Sequence, residues 1–132
     1  MAFSFELDES LAFPVFSLEG SLMERHEAQE LLDETAELFA EKKARIILDL
    51  QALDYLNSSG LNVLINIFTR ARNAGGEVIM CNINDKLLRL LVITKLDAVI
   101  QQTKTTDEAI QVLSVGKSEQ KNEAWYSVGP AM

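Results

Sequence analysis

Phe3, Phe5 and Leu7 alternate with Ser4, Glu6 and Asp8, the two-residue period of a strand with one covered face. Asp8, Glu9 and Ser10 then supply turn chemistry, and a second strand is predicted over residues 11–18. Pro14 has no N–H for a ladder, so this strand is expected to be bulged there or to present that position to an edge. Gly20 closes it. Ser21 with Glu24 forms a capping box, each side chain satisfying a free N–H at the other's position, and a helix is predicted to start there. Ala28, Leu31, Leu32, Thr35, Leu38 and Phe39 recur at helical spacing, while Glu24, Glu27, Glu30, Asp33, Glu34, Glu37 and Glu41 fill the opposite side.

Residues 45–50 (RIILDL) and 77–81 (EVIMC) are short, nearly continuous apolar runs, as in strands buried on both faces of a parallel sheet. A helical stretch ending at Gly75 and Gly76 lies between them, which makes a right-handed βαβ unit. Asn84 or Asp85 caps another short helix through Leu91, a last strand is predicted over residues 98–101, and Thr105 with Glu108 offers a second capping box before Ala109, Ile110 and Leu113. The expected order is ββαβαβαβα. It describes one α/β domain over residues 1–115, with a mostly parallel, mixed sheet and an N-terminal β-hairpin. Residues 116–132 lose the apolar period and read as a C-terminal tail, with docking of Trp125 and Tyr126 as the other reading.

The chain has 132 residues, enough for one core, and 48% of them are apolar, so it is expected to fold alone. Twenty Asp and Glu against twelve Lys and Arg give a net charge of −8, which argues against a nucleic-acid partner. Much of that charge sits on the first helix and reads as a solvated face. The single cysteine, Cys81, has no disulfide partner and reads as a small buried hydrophobe, and His26, the lone histidine, cannot complete a zinc site. No signal peptide is evident and no apolar run approaches the roughly 20 residues of a membrane span. A reduced, metal-free cytoplasmic protein is expected, with no cofactor.

The segment Asp54-Tyr55-Leu56-Asn57-Ser58-Ser59-Gly60-Leu61 is the one stretch suited to function. It links the C-terminal side of a parallel strand to a helix, where open α/β sheets place their ligand sites. Asn57, Ser58 and Ser59 are all competent N-caps, and Gly60 lets another surface approach the backbone closely. Ser58 has two readings on its residues alone. It caps the helix, or it offers a hydroxyl at the positive end of the helix dipole, where a phosphate is stabilised. Hydrolase chemistry is excluded, since Leu56 breaks G-x-S-x-G around Ser58 and no histidine follows it. No phosphate-loop or dinucleotide motif occurs. Asp49 and Asp54 read as turn and cap residues. On the following helix Val63, Leu64, Ile67, Phe68 and Ala71 share one side, with Asn62, Asn66, Thr69, Arg70 and Asn73 on the other. Ile65 falls in the polar sector. It either meets a partner protein or is covered by a neighbouring loop or helix.

The stretch IILDLQALDYLNSSGLNVL, the Gly-Gly-Glu before VIMCNIN, the following KLLRLLVITKLDAVI and the order of elements together resemble the anti-sigma factor antagonists with a STAS domain, over residues 3–113. The resemblance implies a non-enzymatic switch. Unphosphorylated, such a protein binds an anti-sigma factor that is also a serine kinase and so frees a sigma factor; phosphorylation breaks the complex and a serine phosphatase resets it. It places the phosphorylated serine of the motif D-S-[S/T]-G-L on Ser58, with Ser59, Gly60 and Leu61 completing the match. Asn57 departs from the Asp common in the family. The implied partner surface comprises Asn57, Ser58, Ser59, Gly60, Leu61, Asn62 and Ile65. The alternative is a STAS scaffold subunit of a signalling or lipid-transport complex, in which the serine is only a cap.

Overall fold

A computed structural model describes residues 2–115. The expected order of elements is present: β1 (Ser4–Asp8), β2 (Val15–Leu22), α1 (Gln29–Ala40), β3 (Arg45–Leu56), α2 (Ser58–Asn73), β4 (Glu77–Cys81), α3 (Asp85–Ile93), β5 (Gln101–Thr103) and α4 (Thr106–Val115). The five strands form one sheet in the order β1-β2-β3-β4-β5. Only β1 runs antiparallel, paired to β2, and the β2–β3, β3–β4 and β4–β5 pairs are parallel. The reading of residues 116–132 as a tail lies outside the described residues.

The alternation of side chains along the strands gives the sheet two apolar faces. Ile46, Leu48 and Leu50 of β3 point to the face covered by α1, α2 and α3, where Leu31, Leu64, Ile67 and Leu91 join the main core. Val15, Ile47, Ile79 and Cys81 point the other way and meet Ala109 and Leu113 of α4. Strand β3 is thus apolar on both faces because it is the middle strand of a sheet with helices on both sides.

Several boundaries differ from expectation. Strand β2 begins at Val15, past Pro14, whose carbonyl oxygen accepts a bond from Ile47 N–H at 3.0 Å. Gly20 does not close the strand: with φ at +86° it sits inside a bulged stretch, and its pairing register shifts between Gly20 and Ser21. Ser21 therefore stays in the ladder opposite Tyr55, and the capping box passes to Glu24 and Glu27 on a short 3₁₀ turn, Arg25–Ala28, ahead of α1. Strand β3 runs on to Leu56, because β2 continues beside it, so residues expected in a loop are in the sheet. The last strand starts at Gln101, after a 3₁₀ turn at Leu96–Ala98. Thr105 Oγ accepts from Glu108 N–H at 3.1 Å, while the Glu108 carboxylate accepts from Lys104 N–H, one residue before the expected partner.

The end of α2 follows the glycine signal. Gly75 has φ at +83°, and the N–H groups of Gly75 and Gly76 bond the carbonyl oxygens of Arg72 and Ala71 at 3.0 and 2.8 Å. No helix among the described residues is long and apolar enough to cross a membrane.

Candidate functional site

Strand β3 delivers the chain straight into α2 at the C-terminal edge of the parallel sheet, with Asn57 as the only residue between them. Asn57 has extended backbone, and its side-chain oxygen accepts the N–H of Gly60 at 3.0 Å while its carbonyl accepts the N–H of Leu61 at 2.8 Å. It is the N-cap. Ser58 and Ser59 are therefore the first two residues of the helix, both exposed, with hydroxyls that make no hydrogen bond among the described residues. Their N–H groups are those that an α-helix leaves without an intrahelical acceptor. The arrangement presents a free hydroxyl beside unpaired donors.

Gly60 is buried, and the surface that approaches it belongs to the protein itself. A Cβ there would lie 2.2 Å from the carbonyl oxygen of Leu22 and 2.9 Å from the Leu56 Cβ. The end of β2 thus abuts the first turn of α2, consistent with the pairing of Leu22 to Leu56. Leu61 is buried in the main core, and Ile65 is half-buried against it. Of the seven residues assigned to a partner surface, Ser58, Ser59 and Asn62 are exposed, Asn57 and Ile65 are half-buried, and Gly60 and Leu61 lie beneath.

Met23, which the sequence did not single out, and Tyr55, named there only as part of the junction segment, are 37% and 44% exposed. Ser21 pairs with Tyr55 and Leu22 with Leu56, so Met23 leaves β2 beside the point where Asn57 leaves β3. That juxtaposition depends on the unforeseen extension of both strands. The Glu27 carboxylate accepts the N–H groups of Met23 and Glu24 at 2.9 and 3.1 Å. Those bonds, led by the one from Met23, hold its pKa below the usual glutamate range. Next along the same edge, Asn84 caps α3 by accepting from Leu87 N–H at 2.8 Å and donates to the Leu53 carbonyl at 3.2 Å.

Asp49 accepts from Gln51 N–H and from the Asn82 amide, at 3.0 and 2.9 Å, and Asp54 is exposed on β3. Cys81 is buried at the end of β4. Burial pushes its thiol pKa up, against the opposing contact of Thr106 Oγ at 3.4 Å. His26 lies exposed on the 3₁₀ turn, 3.1 Å from the Glu24 carboxylate. Among the described residues no group of three or more His, Cys, Asp or Glu is placed to hold a metal ion.

Residues 4–109 match the STAS domain. The anti-sigma-B factor antagonist of Bacillus subtilis is 29% identical over 72 residues, which are 54% of this chain and 66% of that protein. The chain spans about half to two thirds of the length of the curated relatives it matches. Among solved structures, unphosphorylated SpoIIAA, an anti-sigma factor antagonist, superposes with a TM-score of 0.66 at 16% identity, over 86% of this chain and 99% of that one. Phosphorylated SpoIIAA from Bacillus gives 0.66 at 19% identity, over 83% and 99%. These two likenesses are of fold.

Proposed function

Since the chain belongs to the STAS domain family, we propose that it is an anti-sigma factor antagonist, a binding module without catalysis of its own whose switch is phosphorylation of Ser58. Unmodified, it sequesters an anti-sigma factor that is also a serine kinase, and a serine phosphatase restores it, all in the cytoplasm. Relatives named as anti-sigma-B factor antagonists support the class of function.

One observation carries the switch. The Ser58 hydroxyl is exposed and makes no hydrogen bond among the described residues, because Asn57 has taken the cap. A phosphate added there meets solvent and free N–H groups on its own side, while any partner seated on the tip of α2 meets new charge and bulk. Loss of binding then needs no change of fold. The scaffold reading, in which Ser58 is only a cap, is the less favoured, since the cap bond among the described residues comes from Asn57.

The test is incubation with the candidate partner kinase and ATP, followed by mass spectrometry of the peptides. Phosphate is expected on Ser58; label on Ser59 alone, or none, overturns the assignment. In parallel, Ser58→Ala is expected to bind the partner as the parent does and Ser58→Asp at least about tenfold more weakly, the effect of 1.4 kcal/mol. Equal binding by both variants overturns the switch.

A further inference from the structure

We propose that Asn57 is a positioning residue for the charged state of the switch: a neutral cap that holds the first turn of α2 without setting a second negative charge against a phosphate on Ser58. The proposal rests on the reading of Ser58 as the modified residue. The Asn57 side-chain oxygen holds the Gly60 N–H at 3.0 Å, and a carboxylate at the same position would accept that bond equally well. It would also gain from the positive end of the helix dipole. For the unmodified chain, aspartate is therefore as good a cap as asparagine or better.

The preference reverses once Ser58 is charged. A phosphoserine carries about −1.5 to −2 charges near neutral pH, and it would sit on the residue next to the cap. Two anions would then compete for one helix end. In this chain neither position 57 nor the first turn of α2 supplies a carboxylate, although the protein has twenty acidic residues. On the 3₁₀ turn that follows β2, the Glu27 carboxylate is occupied by the N–H groups of Met23 and Glu24. The N–H groups of Ser58 and Ser59 are left to the phosphate alone. The neutral cap thus spares the phosphorylated form the repulsion that an aspartate cap would add, and the first turn of α2 stays capped in both states.

The experiment installs phosphoserine at position 58 of the full chain during translation by stop-codon suppression, which makes it independent of any kinase. Melting temperatures are compared for the parent, Asn57→Asp and Asn57→Ser, each with and without the phosphate. Without phosphate, Asn57→Asp is expected to melt at or above the parent. With phosphate the order inverts, with Asn57→Asp about 3 °C or more below the parent, a gap that high salt narrows. Asn57→Ser, a neutral cap, is expected to show the same phosphate effect as the parent. Equal phosphate effects in the parent and Asn57→Asp overturn the proposal, as does an unmodified Asn57→Asp that melts well below the parent. A kinase that leaves Ser58 unlabelled would sink the phosphorylation switch and leave this cycle standing; equal shifts in the cycle would do the reverse.

Discussion

Gly60 sits in a helix, where alanine is ordinarily better by about 1 kcal/mol. A methyl group there would lie 2.2 Å from the Leu22 carbonyl oxygen, a backbone atom that cannot swing aside. Gly60→Ala is therefore expected to lower stability by about 2 kcal/mol in urea unfolding; a neutral or stabilising effect would show that β2 and α2 do not abut. The sequence placed Gly60 at the site but assigned its open side to another molecule, because neighbours along the chain do not reveal which strand end arrives from elsewhere. The same blindness affects Asn57, Ser58 and Ser59. All three are competent caps, and the folded chain gives the cap to Asn57, with Gly60 and Leu61 buried in the turn that follows. Ile65 fell in the polar sector of a projection that sees one helix, whereas the folded chain packs it against the core.

Helix ends show how far local signals reach. The two glycines after α2 announce its stop, and the bonds from Gly75 and Gly76 to Arg72 and Ala71 fulfil it. Helix α1 ends in the same way with Lys42 and Lys43, whose N–H groups bond Phe39 and Leu38 at 3.0 and 2.8 Å, and Lys42 takes the left-handed position with φ at +67°. A lysine there sends no stop signal, so this end was not legible. It also bears strain that glycine would relieve. Lys42→Gly is expected to raise stability by about 0.5–1 kcal/mol in urea unfolding, strain relief offset in part by a more flexible unfolded chain; a loss of stability would overturn that account. Strand lengths failed for a different reason. Strands β2 and β3 lengthen each other through pairs such as Ser21 with Tyr55, a contact between distant parts of the sequence.

For the whole molecule, the order of elements and the parallel sheet were readable because buried strands and amphipathic helices carry distinct periods. The residue pattern left open how the helices divide between the sheet's faces, with α1, α2 and α3 on one side and α4 alone on the other. The net charge of −8 acts at this scale. The pair of Lys43 with Glu41 lies on the surface and does little to offset the repulsion among the carboxylates. Added sodium chloride at neutral pH is therefore expected to raise the melting temperature modestly by screening; a fall would mean that surface pairs outweigh the repulsion. Among the described residues no hydrogen bond leans on the Ser58 oxygen. Under the proposed switch, one codon change would retire the regulation while the domain still assembles, so a lineage could pass between a controlled protein and a permanently engaged one without evolving a new architecture.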